Sequence, residues 1–141
     1  MRPHARLLAA ALVAASLPVL GPVGQASAAE PVEVRADWGR TAAPDGVLKR
    51  GCKRYAYRYR LTVPTDDWEV EVKIKDPKGH KIASTYLLSD SEEPTGRLRF
   101  RLCGVASSPG RFTIKAKVSV WDGWDEEEGR LPNSHFRLRR P

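Results

Sequence analysis

Hydrophobic and polar residues alternate through most of the chain. Tyr55, Tyr57, Tyr59, Leu61 and Val63 take every second position, with Arg54, Ala56, Arg58, Arg60 and Thr62 between them. The same period of two carries Trp68, Val70, Val72 and Ile74 against Glu69, Glu71, Lys73 and Lys75. It continues in Leu98, Phe100 and Leu102 against Arg97, Arg99 and Arg101, and in Phe112, Ile114, Ala116, Val118 and Val120 against Thr113, Lys115, Lys117 and Ser119. Shorter alternations run from Val32 to Trp38 and through Phe136 and Leu138. Successive side chains of a strand leave opposite faces, so this period marks strands with one face buried and one wet. The pattern predicts strands over 32–38, 52–63, 68–76, 97–103, 111–121 and 134–139, with a less regular β-prone run over 81–88. Turn chemistry separates them: Asp76-Pro77-Lys78-Gly79 reads as a hairpin turn, while Glu93-Pro94-Thr95-Gly96 and Ser108-Pro109-Gly110 open the strands that follow. The stretch Gly39–Gly51 is long for a connection and is either a loop or the place of a short element.

The first 28 residues follow a different pattern. Arg2 and Arg6 precede an apolar run from Leu7 to Leu17, then Pro18, Gly21, Pro22 and Gly24 interrupt it, and Ala26-Ser27-Ala28 supplies small residues. Basic, apolar and small-residue segments in that order predict a secretory signal peptide over 1–28, cut after Ala28, with Ala29 as the alternative. A membrane anchor would need about 20 apolar residues, roughly twice the run present. Residues 29–141 are then one exported domain. Composition agrees with an ordinary globular chain: 141 residues, 41% hydrophobic and 29% charged, with 24 Lys and Arg against 17 Asp and Glu.

Export changes how the two cysteines are read, because disulfides form and persist outside the cytoplasm. A Cys52–Cys103 bridge would close a long loop and contribute about 4 kcal/mol in the chain-entropy picture. Two free thiols and an intermolecular bridge are the other possibilities. Parity sharpens the geometry of the bridge. Cys52 shares the phase of Arg54, Arg58 and Arg60, and Cys103 that of Arg97, Arg99 and Arg101. The bridge therefore belongs on an outer face, between neighbouring antiparallel strands of one sheet. Counting from it places Arg54 opposite Arg101, Ala56 opposite Arg99 and Arg58 opposite Arg97, with Tyr55 facing Phe100 and Tyr57 facing Leu98 on the inner side. A sheet of strands 32–38, 52–63 and 97–103, packed on a second made of 81–88, 68–76, 111–121 and 134–139, satisfies this requirement.

Ser108-Pro109-Gly110-Arg111-Phe112-Thr113-Ile114-Lys115-Ala116-Lys117-Val118 resembles the Pro-Gly-aromatic-x-apolar lead into a late strand of PKD-like and other immunoglobulin-like bacterial domains. With its leader, the chain is similar to small secreted sandwich proteins of Gram-positive bacteria. The resemblance implies an all-β, immunoglobulin-like (fibronectin-III-like) sandwich of about seven strands that binds or spaces rather than catalyses, and it transfers no site residues.

The register gathers Arg54, Arg58, Arg60, Arg97, Arg99 and Arg101 on one outer face. Like charges directly opposed destabilise a sheet, so something must offset them. Glu33 and Asp37 on the first strand have the outward phase and are one source, with solvent screening the rest. The other reading is a docking site for a polyanion: cell-wall teichoic acid, extracellular nucleic acid, an acidic polysaccharide or an acidic protein. Guanidinium forks suit phosphate and carboxylate. Without an aromatic among the arginines, base stacking and sequence-specific nucleic-acid recognition are not expected.

An acidic segment, Asp122-Gly123-Trp124-Asp125-Glu126-Glu127-Glu128-Gly129, is expected to be the loop before the last strand. Asp122, Asp125, Glu126 and Glu127, with Asp66 and Asp67 nearby, are candidate Ca²⁺ ligands, although the spacing matches no EF-hand. Trp121 and Trp124 flank the loop, either covering the end of the core or forming a binding tip. Catalysis has little to build on. The exported part holds only His80 and His135, and neither G-x-S-x-G nor H-E-x-x-H occurs. A small secreted hydrolase is the remotest alternative.

Overall fold

In a computed structural model that describes residues 31–141, the alternating segments become the strands of two packed sheets. The expected signal segment, 1–28, lies outside the described residues. The strands are β1 (Gly39–Ala42), β2 (Gly46–Val47), β3 (Cys52–Leu61), β4 (Asp67–Lys75), β5 (Lys81–Leu88), β6 (Thr95–Cys103), β7 (Gly110–Asp122), β8 (Asp125–Arg130) and β9 (Ser134–Arg139). One sheet has the order β1-β3-β6. The other runs β2-β9-β7-β4-β5, with β8 also paired to β7. The expected strands from residue 52 onward are present, shifted by at most two residues at their ends. The first sheet is joined as the cysteine parity requires, with Cys52 opposite Cys103, Arg54 opposite Arg101 and Arg58 opposite Arg97.

The core lies between the sheets and is filled by the apolar phase of each strand. Tyr57, Tyr59 and Leu61 from β3 and Phe100 and Leu102 from β6 meet Val70, Val72, Ile74, Phe112, Ile114, Val118, Phe136 and Leu138. Aromatic rings carry the contact from sheet to sheet. Tyr55 stacks on Phe100 at 5.8 Å between centroids, Phe100 meets Phe136 at 6.1 Å, and Phe136 stacks on Phe112 at 5.2 Å. Such pairs contribute about 0.5–1.5 kcal/mol each beyond the area they bury, and here they couple the two sheets directly.

The structure corrects three expectations. First, 32–38 is not a strand of the first sheet. Ala36–Trp38 is a turn of 3-10 helix, and the edge strand beside β3 is β1, which begins after it. The cause is Trp38. Its ring is 2% exposed and lies against Gly129, where a Cβ would come within 2.8 Å of the ring. Anchored there, the backbone before it bonds to β8: the Arg35 N–H donates to the Arg130 carbonyl at 2.7 Å, and the Arg130 N–H to the Glu33 carbonyl at 2.7 Å. Val34, inward by phase, is 53% exposed.

Second, the acidic segment is not a loop. Gly123 and Trp124 form a two-residue turn, with Asp122 paired to Asp125, and β8 continues the hairpin. Gly123 sits at φ +65°, and among the described residues only glycines have positive φ, the arrangement of a hairpin turn with glycine at its first central position. Strands β8 and β9 share the same edge of β7. Lys117 pairs with Arg130 and Ile114 with Ser134, so three steps along β7 correspond to four along its partner. One extra residue is inserted around Leu131-Pro132-Asn133, where proline has no N–H for the ladder.

Third, Gly39–Gly51 holds two short strands rather than one or none. β1 belongs to the first sheet, whereas β2 runs parallel to β9 in the second. The chain between them straps one side of the sandwich. A hydrogen bond of 2.6 Å between the Thr41 and Ser134 hydroxyls ties β1 to β9.

The β4–β5 turn closes on Asp76, a buried carboxylate. Its Oδ1 accepts from the Lys78 N–H at 2.9 Å and the His80 N–H at 2.8 Å. Burial alone would raise the Asp76 pKa, but those two donors and the nearby His80 outweigh it and hold the carboxyl below its usual value. A depressed folded pKa contributes stability above the unfolded value of about 3.9, and that stability is lost as pH falls through the folded value. Thermal unfolding at pH 6 and near pH 3 is therefore expected to show a smaller acid-induced loss for Asp76→Asn than for the native protein. Two core tyrosines differ in another way. The Tyr57 hydroxyl is buried with no hydrogen-bond partner among the described residues, whereas the Tyr59 hydroxyl donates to the Glu93 carbonyl at 2.9 Å. In urea unfolding, Tyr57→Phe is expected to be neutral or stabilising, and Tyr59→Phe to cost about 1 kcal/mol; the reverse order would show that the Tyr57 hydroxyl is bonded.

Candidate functional site

The outer face of the three-stranded sheet is built by β3 and β6 and completed by β1. Along β3 the outward positions are Cys52, Arg54, Ala56, Arg58 and Arg60; along β6 they are Thr95, Arg97, Arg99, Arg101 and Cys103. β1 adds Arg40 opposite Arg60 and Ala42 opposite Arg58. The six sequence-predicted arginines thus share one face, all exposed, and Arg40 joins them. Arg40 is hidden in the sequence because it lies in a four-residue strand, too short and too polar for any alternation to stand out.

Three arginine pairs are directly opposed across strands: Arg40 with Arg60, Arg58 with Arg97, and Arg54 with Arg101. The Cys52–Cys103 bridge closes the same face, with the two Cα atoms 3.9 Å apart. Glu33 and Asp37 do not offset these charges as expected. The 3-10 turn at Ala36–Trp38 diverts them, and Asp37 pairs instead with Arg35 at 3.3 Å. Arg35 also pairs with Glu127 and lies 4.3 Å from the centroid of the Trp38 ring. Among the described residues, no carboxylate comes within ion-pair distance of any of the seven arginines on the face. The disulfide and the aromatic core beneath hold together a surface that electrostatics alone would push apart.

The face is not flat. Where the arginine rows are broken by Ala42 and Ala56, a depression of about 390 Å³ opens, lined by those alanines, Ala43, Pro44 and the buried Tyr57, with Arg58 and Arg97 beside them.

The outer face of the second sheet offers a partial contrast: it too opposes like charges, Arg111 with Arg137 and Lys73 with Lys115, but it mixes them with carboxylates that pair. Lys73 pairs with Glu71 at 2.7 Å, Lys117 pairs with Glu128, and the Tyr86 hydroxyl donates to Glu71 at 3.0 Å. The Lys73 hydrogen bond, helped by that of Tyr86, holds the Glu71 carboxyl below its usual range despite some burial.

The four candidate calcium ligands do not converge. Asp122 pairs with Asp125 and Val120 with Glu127 on one side of the β7–β8 hairpin, while Glu126 pairs with Trp121 on the other. Alternation in a strand separates what a loop would have gathered. Among the described residues, no group of three or more His, Cys, Asp or Glu side chains is placed to hold a metal. Asp67 does lie near this region, opposite Trp121, as expected of the neighbouring strand end. Trp121 is half-buried, but Trp124 covers no core: it stands fully exposed at the hairpin tip. The histidines serve local structure. His80 Nδ1 faces the Asp76 carboxylate at 3.5 Å within the β4–β5 turn, and His135 Nδ1 bonds the Thr113 hydroxyl at 3.1 Å.

No protein-family model matches this chain, and no curated protein matches it in sequence.

The opposed arginines make a direct stability prediction. Added NaCl, by screening their repulsion, is expected to raise the Tm of the protein. Arg58→Glu, which sets a carboxylate opposite Arg97, is expected to raise Tm at low salt and to flatten its salt dependence, measured by differential scanning calorimetry. An unchanged or lower Tm would mean that the guanidinium groups are already compensated.

Proposed function

We propose that this protein is a secreted, non-catalytic binding module of immunoglobulin-like type whose arginine face docks polyanions. The single observation that carries this reading is the set of three cross-strand arginine pairs, without a carboxylate partner among the described residues, on a face made rigid by a disulfide. An uncompensated guanidinium array costs folding stability, and a bound anion removes that cost. Fixed forks also bind phosphate or carboxylate without ordering a loop. The strap that passes from β1 to β2, the parallel pairing of β2 with β9 and the sheet orders support the immunoglobulin-like assignment. Export is supported by the leader-like first 28 residues and by a disulfide that needs an oxidising compartment.

The test is binding of the purified protein to immobilised heparin, to poly(glycerol phosphate) teichoic acid and to single-stranded DNA over a range of salt. Binding is expected to weaken linearly in log K against log salt, the slope reporting the number of anionic groups neutralised. Arg54→Glu with Arg99→Glu is expected to abolish binding while leaving Tm equal or higher, since the first of these substitutions sets a carboxylate opposite Arg101. Binding that survives this double substitution, or that ignores salt, would remove the arginine face from consideration.

A further inference from the structure

The two alanines that interrupt the arginine rows set the chemistry of the site. Ala56 sits between Arg54 and Arg58 along β3 and opposite Arg99; Ala42 sits opposite Arg58 and two residues from Arg40. Arginine at either position would fill the depression, and alanine leaves it open, with a largely apolar lining bordered by Arg58 and Arg97. We infer, resting on the polyanion-binding reading, that this depression selects the repeat unit of a polymer of small polyols joined by phosphodiesters. A phosphate held by the Arg58 and Arg97 guanidinium forks, which border the depression, sets the adjoining short carbon segment against the methyl groups of Ala42 and Ala56.

Spacing supports this choice. A peptide advances at most about 3.4 Å for every three backbone bonds. A three-carbon polyol phosphodiester has about six bonds from one phosphorus to the next, so by the same geometry it places a charge every ~7 Å. Arg97, Arg99 and Arg101 stand at alternate positions of β6, and alternate residues of a strand repeat at about 6.8 Å. The polymer can therefore run along β6 with one phosphate per arginine as far as Arg97, which borders the depression and sets the adjoining polyol there.

A single-stranded nucleic acid has the same number of bonds between phosphates, so charge spacing alone does not exclude it. Its bases need a flat aromatic platform. Among the described residues, the strongly exposed aromatics are Tyr86 on β5 and Trp124 in the β7–β8 turn, both belonging to the other sheet. The one aromatic residue at the depression, Tyr57, is 1% exposed and offers no platform, so its alanine and proline lining suits a compact, non-planar unit better than a base.

The test separates shape from charge by filling the depression and leaving every arginine in place. Ala56→Leu is the first variant. Ala42→Leu, at an exposed position of β1, is the second in case the first disturbs the fold; circular dichroism and Tm report on both. Affinities are measured for poly(glycerol phosphate), heparin and a single-stranded oligothymidylate at one salt concentration. Filling is expected to weaken poly(glycerol phosphate) binding by about tenfold or more, equivalent to about 1.4 kcal/mol. Heparin and DNA binding should change by no more than about twofold, since their attraction is chiefly long-range charge. A protein that binds all three but is indifferent to filling, loses all three alike, or prefers the oligothymidylate overturns the inference and leaves the arginine-face reading standing. A native protein that binds none of the three overturns both.

Discussion

The pairing of β3 with β6 is the constraint on which the rest of this structure depends. Cys52 and Cys103 stand directly opposite each other, so a covalent bond holds the register of two strands whose outward residues repel. A slip of one residue would turn the arginines toward the core and the tyrosines and Phe100 toward water. Burial of Tyr57, Tyr59, Phe100 and Leu102 opposes that slip from one side of the sheet, and the disulfide opposes it from the other. The arginine face exists because these two forces act together against its own electrostatics.

The two outer faces of the sandwich show how differently one chain can treat its surface charges. On the larger sheet, Lys73 and Lys117 have glutamate partners and Tyr86 adds a hydrogen bond to Glu71, although Arg111 stands opposite Arg137 and Lys73 opposite Lys115. On the smaller sheet, β1, β3 and β6 all present arginine, and the two acids expected to offset them, Glu33 and Asp37, are drawn away by the anchoring of Trp38. Asp37 and Glu127 satisfy Arg35 instead, locking the segment before β1 to the β7–β8 hairpin. A surface that gathers seven arginines with no carboxylate partner among the described residues, at a cost in stability, is where a charged partner has most to contribute.

The acidic hairpin illustrates why charge-rich segments mislead. As a loop, Asp122, Asp125, Glu126 and Glu127 would have been free to surround an ion. As a strand they alternate, and backbone pairing with β7 sends Glu126 to one side and Glu127 to the other. A run of glutamates carries little strand propensity of its own, so nothing local announced β8. It forms because Gly123 permits a two-residue turn and the edge of β7 beyond β9 is available for pairing.

Much of this protein is determined by the local period of its sequence. Strong alternation of large apolar residues with charges identified β3, β4, β6, β7 and β9, because burying one face of a strand leaves few other solutions. Cysteine phase then determined the neighbours and register within the β3–β6 pair, and with them six arginines of the face. Tertiary structure alone decided where the weakly patterned segments go. Val32–Trp38 alternates like a strand, yet one large ring seated against Gly129 outweighed that pattern. Arg40 reached the face, and the alanine-lined depression opened, only because β1 pairs with β3 for four residues before the chain departs to the other sheet. Such choices rest on contacts between segments far apart in the chain, and for short elements those contacts exceed any preference the residues carry locally.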